Sequence, residues 1–364
     1  MNPQWICKKC GFSDELSRYY WRCPRCGAPL DLSYEVKWSP RGTGVSRYSS
    51  MLPIDPGYLL GEGNTPLISR DISGHRIYFK LEYLNPSGSF KDRGTSLSLY
   101  LAKKLGYKIV VEDTSGNTGI SVATYASALG LRAKIYMPRT APRGKKAVVE
   151  MLGAEVIETG SRHEASIRVL EAINQPSVFY VAHTWSPLYI SGAETIAYEV
   201  YEQGFRKGTV VIPIGSGGLF LGIVRGFTNL VELGLLDDMP QIIGVQGYSV
   251  HPVYRELYGR SHKGSSNLAD GIMVPNPPRL TEIVSLIKKY KWGIVLVGNN
   301  EITNALKNLY RMGFIVEPTS AAALAGFYKA LRQGLVTGEN ILIPLTGSGL
   351  KTIDTIIQLS LNNC

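Results

Sequence analysis

The sequence predicts an α/β protein with two open parallel-sheet domains, preceded by a small metal-binding ribbon. Three observations predict it. Short runs rich in Ile and Val alternate with amphipathic segments along most of the chain. Three turns between such runs are crowded with Gly, Ser, Thr and Asn. Ahead of them stand two C-x-x-C-G pairs.

Size and composition frame the rest. A chain of 364 residues exceeds one hydrophobic core, which predicts two or three domains. Its 44% hydrophobic and 19% charged content is that of a globular protein. Apolar stretches such as "GTVVIPIG" fall short of the roughly 20 residues that span a bilayer. The opening "MNPQWICKKC" has no apolar core or cleavage signature, so a cytoplasmic protein without a membrane partner is expected. A net charge of +10 raises nucleic-acid binding, but the densest basic clusters, "RGKKA" and "KKYKW", are short. A solvated basic surface that favours anionic substrates is the better reading.

Residues 1–35 form the first expected domain. Cys7 and Cys10 are followed after twelve residues by Cys23 and Cys26. Each C-x-x-C-G makes a knuckle in which two thiolates point at one metal while the glycine turns the backbone. Two knuckles supply the four sulfurs of tetrahedral zinc, and a closed site of this kind is structural. A hairpin around "YYWRC" is expected to return the chain. Disulfides are disfavoured in a cytosolic chain, and a redox pair needs only one such motif. Cys364 is read as incidental.

Residues 36–80 read as a Ser-, Pro- and Gly-rich linker followed by the start of the larger domain. Residues 81–190 read as a smaller α/β domain. Its strands are "RIYFKLEY", shared with the preceding segment, then "KIVVEDT", "RAKIYMP", "AEVIETG" and "SVFYVAH". Its helices are "RGTSLSLYLAKKLG", "GNTGISVATYASALG", "RGKKAVVEMLG" and "RHEASIRVLEAI". Residues 191–364 read as the larger domain. Helix "SGAETIAYEVYEQ", strand "GTVVIPIG", helix "GLFLGIVRGFTNLVELG" and strand "QIIGVQGY" lead into less regular segments. Helices "NEITNALKNLYRMG" and "SAAALAGFYKALRQG" and strand "NILIPLTG" follow. Such alternation predicts parallel sheets covered on both faces.

In open α/β sheets ligands sit beyond the carboxyl ends of strands, at helix N-termini. In "VVEDTSGNTG", Thr114, Ser115, Asn117 and Thr118 set four side chains beside free amides, more than an ordinary cap needs. That cup suits a carboxylate. In "VIPIGSGGLFLG", Gly215, Ser216, Gly217, Gly218 and Leu219 let successive amides face one anion, most plausibly a phosphate. No Gly-Lys-Ser/Thr follows, and Phe220 replaces the third glycine of a dinucleotide fingerprint. In "NILIPLTGSGLK", Thr346 ends a strand, where its hydroxyl can project into a cleft.

Lys91 opens a helix in "NPSGSFKDRG", where its charge opposes the positive end of the helix dipole. Alone it would be an exposed lysine paired with Asp92. Beside an anion-binding turn it reads as an amine that forms a Schiff base with a phosphate-bearing aldehyde. Pyridoxal 5'-phosphate has that aldehyde, that phosphate and a ring nitrogen needing a partner.

In their order, "NPSGSFKDRG", "TSGNTG", "GSGGL" and "PLTGSGLK" resemble the fold-type II pyridoxal-phosphate enzymes, whose sheets are like those of tryptophan synthase β. "EGNTPL", "SFKDRG" and "VEPTSAAALAGF", with the cysteine ribbon, look most like the threonine synthases of that fold type. The resemblance spans roughly residues 55–355. It implies that Lys91 carries the cofactor and moves protons, Asn117 meets the phenolic oxygen, the 215–219 turn holds the phosphate, and Thr346 faces the pyridine nitrogen. Thr114, Ser115 and Thr118 would bind the α-carboxylate of a small amino-acid substrate. The implied reaction turns O-phosphohomoserine and water into threonine and phosphate. Members are often dimers, so a homodimer is expected by the same resemblance.

The chain departs from that pattern after "SVFYVAH". Tyr189 and Glu194 stand where threonine synthases carry Arg and Lys suited to the substrate phosphate. His183, Trp185, Ser186, Arg143, Lys145 and Lys146 are the available substitutes. "GSGGL" and "LADGI" look more like threonine or serine dehydratases, so β-elimination or β-replacement stands as the alternative. A ribbon-bearing binding protein on a dead scaffold is a third reading, opposed by the intact Lys91.

Overall fold

The computed structural model describes residues 2–57, 59–175 and 177–361; Cys364 lies outside the described residues. Three short strands come first: β1 (Gln4–Ile6), β2 (Ser13–Glu15) and β3 (Asp31–Ser33). Then follow β4 (Leu67–Ile72), β5 (His75–Lys80), α1 (Lys91–Lys104), β6 (Ile109–Asp113), α2 (Asn117–Leu129) and β7 (Arg132–Pro138). Next come α3 (Arg143–Met151), β8 (Glu155–Thr159), α4 (Arg162–Ala172), β9 (Val178–Tyr180), α5 (Pro187–Glu202), β10 (Thr209–Pro213) and α6 (Gly218–Glu232). The chain continues through β11 (Gln241–Gly247), α7 (Pro252–Tyr258), α8 (Leu280–Tyr290), β12 (Gly293–Val297) and α9 (Asn299–Arg311). It ends with α10 (Pro318–Arg332), β13 (Asn340–Pro344) and α11 (Ile353–Leu361). No helix among the described residues is long and apolar enough to cross a membrane.

The chain divides into two compact units, Met1–Asn64 with Asn85–Thr195 and Thr65–Leu84 with Ile196–Cys364. The first holds the ribbon, an antiparallel sheet of order β2-β1-β3. "YYWRC" does not form the expected hairpin. Its aromatics pack instead: Tyr19 stacks on Phe179 with centroids 3.8 Å apart, and Trp21 meets Tyr180 and Trp185 edge-on. Ribbon residues Trp5, Cys7, Cys23 and Leu30 share one apolar cluster with Leu97 and Leu101 of α1 and Leu188 of α5. The ribbon therefore buttresses the helix that Lys91 begins. Residues 39–57 are irregular as expected, yet Val45, Tyr48 and Met51 are buried in a 3-10 turn, so the segment is a packed strap.

Beyond the ribbon lies a four-stranded parallel sheet of order β8-β7-β6-β9. Val110 of β6, Ala133, Ile135 and Met137 of β7 and Phe179 of β9 form its core with Ile120, Val122 and Ala126 of α2. Helices α1 and α5 meet at two glycines. A Cβ on Gly94 would lie 2.6 Å from Tyr189 Cα, and one on Gly192 would lie 2.2 Å from Arg93 O. Any side chain there would force the helices apart.

The second unit is a six-stranded sheet of order β12-β11-β10-β13-β5-β4. It is not wholly parallel. Strand β4 runs antiparallel to β5, because only Ser73 and Gly74, both at positive φ, join them; such a two-residue turn permits no other pairing. The stretch read as irregular after β11 holds α7, α8 and β12. Helix α10 starts at Pro318, and its Ala321, Ala322, Ala323, Leu324 and Phe327 are buried.

Candidate active site and metal centre

The metal centre is built locally. Gly11 N–H donates to Cys7 O and Gly27 N–H to Cys23 O, both at 2.9 Å, so the two knuckles repeat one hydrogen-bond pattern. Gly11 and Gly27 have φ of 71° and 72°, which explains the glycine after each second cysteine. The four Sγ atoms lie within 4.8 Å of one another, with Cys7–Cys26 at 3.6 Å and Cys10–Cys23 at 3.5 Å. Sulfurs on a tetrahedron of 2.3 Å Zn–S bonds would be about 3.8 Å apart. Four thiols this close cannot all ionise without a cation. The Phe12 amide favours the Cys10 thiolate, but burial and three neighbouring sulfurs outweigh it and push Cys10 up to about 12.

Lys91 is the first residue of α1, half-buried, with its Nζ 4.9 Å from the Phe90 ring centroid. Its acidic neighbour is committed elsewhere. Asp92 is fully buried and accepts from Ser87 N–H at 2.7 Å, Ser87 Oγ at 2.5 Å and Ser121 Oγ at 2.6 Å. Asp92 thus ties the glycine turn before Lys91 to α2, and as a fully buried residue it is not half of an exposed surface pair. Ser89 Oγ, two residues before Lys91, is buried with no hydrogen-bond partner. Sequence reasoning gave it no role although it opens "SFKDRG", because its burial is not visible in the sequence.

The Thr114–Thr118 turn leads into α2, whose N-terminus carries no side-chain cap and no acidic residue in its first turn. Thr114 Oγ1 accepts from Gly116 N–H at 3.1 Å. Arg162 of α4 bonds Ser115 Oγ. Lys145 of α3 is buried, and its Nζ lies 2.8 Å from where a Gly116 Cβ would stand. Two cationic side chains thus flank the turn, so it suits an anion.

At the end of β6, Glu112 lies fully buried inside the unit. His183 Nδ1 is 2.5 Å from Glu112 Oε1, and His183 N–H donates to Oε2 at 3.3 Å. Ala182, at a φ of +52° unusual for a residue with a Cβ, also lends its amide to Glu112. Burial, then Asp113, pushes Glu112 well above the usual carboxylate range, against the His183 and Ala182 amides and Lys91. Burial, then Lys91 and Arg162, holds His183 well below its ordinary value. The visible signal for this pair was two adjacent acids, Glu112 and Asp113, closing the apolar run "KIVVED".

In the second unit, the 215–219 turn joins β10 to α6. Gly217 has φ +94°, and a Cβ there would meet Ile283 Cδ1 at 2.3 Å. A Cβ on Gly215 would meet Gly271 O at 2.7 Å, so the "LADGI" segment packs on the turn. Gly218 faces open space, and α6 begins there with no side-chain cap, leaving its first amides for an anion. Leu219 and Phe220 are buried. Thr346 lies two residues beyond β13; its Oγ1 is 3.1 Å from Ser320 Oγ, which also accepts from Gly347 N–H at 2.9 Å. Ser320, at the start of α10, was missed as a partner because tertiary packing alone brings it to Thr346.

Tyr189 and Glu194 turn inward within the first unit. Tyr189 OH bonds Thr95 Oγ1 at 2.7 Å, and Tyr34 OH donates to Glu194 Oε2 at 3.4 Å. Both are buried, so they serve packing.

Comparison with known proteins agrees with this geometry. The family model described as pyridoxal-phosphate dependent enzyme matches residues 58–347. A threonine synthase of Methanocaldococcus jannaschii is 29% identical across 97% of this chain and 94% of its own. One from Mycobacterium bovis is 30% identical across 86% of this chain and 90% of its own. Among solved structures, threonine deaminase isoform 2 from Solanum lycopersicum has a TM-score of 0.70 at 28% identity, covering 81% of this chain and 82% of that one. A family match over most of the length, on a sheet order and helix starts that bear it out, leaves one assignment: the chain belongs to the pyridoxal-phosphate-dependent enzymes.

Proposed function

We propose that the protein is a threonine synthase, converting O-phosphohomoserine and water to threonine and phosphate. The observation that carries this reading is the match to threonine synthases over nearly the whole of both chains. The residues also fit the cofactor. The uncapped start of α6 and the glycines that admit no Cβ suit its phosphate, and the buried Ser89 hydroxyl lies beside the lysine that would carry it.

Bound pyridoxal phosphate supplies an electron sink for charge developed at the substrate Cα. Lys91 would hold the cofactor, and its amine is the group placed to take a proton from the substrate Cα and to move a second from Cβ. Asn117 would bond the phenolic oxygen, and Gly215, Ser216, Gly217, Gly218 and Leu219 would hold the phosphate. Thr346, held by Ser320, offers the pyridine nitrogen a hydroxyl rather than a charge. Thr114, Ser115 and Thr118 bind the substrate carboxylate, with Arg162 and Lys145 behind them. Cys7, Cys10, Cys23 and Cys26 hold a structural zinc ion, with all four positions filled by protein.

The test is a substrate panel on purified holoenzyme scored separately for phosphate, ammonia and amino-acid product. Threonine and phosphate formed in equal amounts support the reading. Ammonia and a 2-oxo acid from threonine or serine would replace it with the dehydratase reading, which the inward Tyr189 and the likeness to threonine deaminase favour.

A further inference from the structure

With Tyr189 and Glu194 committed to packing, the substrate phosphate of the threonine synthase reading needs a donor elsewhere. We propose that His183, held by Glu112, is that donor, and that a proton passes from Glu112 Oε1 to His183 Nδ1 as the anion arrives. The inference rests on the proposed function and names a specificity residue for it.

The geometry fixes the arrangement. A contact of 2.5 Å between Glu112 Oε1 and His183 Nδ1 requires a proton between them. Burial disfavours the charged form of each partner, raising Glu112 and lowering His183. The resting form is therefore a carboxylic acid donating to Nδ1 of a neutral imidazole whose one N–H is on Nε2. Among the described residues, the remaining charged and titratable neighbours are Lys91, Asp113, Arg162, Tyr19, Tyr180 and Tyr189. Lys91 and Arg162 oppose an imidazolium while no anion is present. Arg162 also bonds Ser115 in the turn proposed for the substrate carboxylate, so the charge that acts on His183 also flanks that turn. A dianion reverses the balance. Shifting the shared proton leaves Oε1 negative and Nδ1–H bonded to it, while Nε2–H becomes a cationic donor to phosphate. The total proton count is unchanged. The His183 and Ala182 amides that Glu112 accepts stabilise the new carboxylate. Ala182's left-handed backbone is the strained conformation that aims both amides at Glu112.

The test is calorimetric titration of holoenzyme with inorganic phosphate in buffers of contrasting ionisation enthalpy, at a pH where the dianion dominates. Wild type should show the same heat in each buffer, because the proton comes from within. His183→Asn should weaken phosphate binding by roughly ten- to hundredfold, and raise KM for phosphohomoserine similarly with kcat within about threefold. Glu112→Gln should weaken binding comparably; if it does not fold, His183→Gln gives the second measurement. Uptake of a full proton from buffer by wild type would overturn the proposal. So would unchanged phosphate affinity in His183→Asn, or no phosphate binding by wild type. Failure to form threonine would sink the proposed function alone, since the titration is scored without turnover.

Discussion

Replacing Gly192 by Ala would show whether the α1–α5 contact positions Lys91. The added Cβ would stand 2.2 Å from Arg93 O and 2.4 Å from Arg93 C. Van der Waals contact begins near 3.4 Å, so the helices must part by about 1 Å, and Arg93 is two residues from Lys91. Both obstructing atoms are backbone, so no side chain can rotate out of the way. Overpacking of this kind costs about 1–3 kcal/mol and occasionally more. A displacement near 1 Å at a reacting group costs about a hundredfold in rate. The variant should bind cofactor and unfold at lower urea concentration than wild type, with kcat reduced about a hundredfold. Gly192→Ala with an unchanged unfolding midpoint and unchanged kcat would refute the reasoning.

Four further outcomes are expected. Purified protein should contain one zinc per chain by elemental analysis, and Cys23→Ser should lose it and expose the Leu97 and Leu101 face of α1 to a hydrophobic dye. Gly217→Ala combines a left-handed φ with a clash on Ile283, so cofactor affinity measured by visible absorbance should fall at least tenfold while Lys91 stays intact. Ser320→Ala removes the neighbour of the Thr346 hydroxyl and should cost about 1 kcal/mol in stability and shift the visible band of the holoenzyme. Glu112 and His183 should pull stability in opposite directions as pH changes. Glu112, raised by burial, contributes most below its unfolded value of about 4.3 and loses that as pH rises through its folded value. His183, depressed by burial, contributes above about 6.5 and loses that as pH falls, so His183→Asn should flatten the acid limb in pH-dependent urea unfolding.

What the sequence disclosed was what neighbouring residues decide together. Strand "RAKIYMP" coincides with β7, and "GNTGISVATYASALG" covers α2, because alternation of apolar residues and a terminal glycine are local signals. Helix α5 begins at Pro187 rather than at Ser191, since Pro is well placed in a first turn although "SPLYI" carries no charged residue to mark a face. Strand β4, "LISRDI", is an edge strand with little burial, so its pattern was too weak to read. The "KKYKW" run that precedes β12 drew attention as a charge cluster, yet it closes the amphipathic α8.

The same division runs through the site, and it explains why the substrate is harder to read than the cofactor. Cysteine knuckles, glycine turns and the turn at Thr114 each lie within ten residues, so their chemistry is visible in one line of sequence. The groups that answer the substrate are joined only by folding: Glu112 to His183 across 71 positions, Ser115 to Arg162 across 47. On the proposed reading, a basic residue lost at 189 need not remove phosphate recognition. Its duty can pass to a histidine whose charge is made on demand by a buried acid, and neither partner announces this alone. Substrate choice in such a fold is set by pairs that no single motif contains, so variants at Glu112 and His183 test specificity more sharply than variants of the conspicuous lysine.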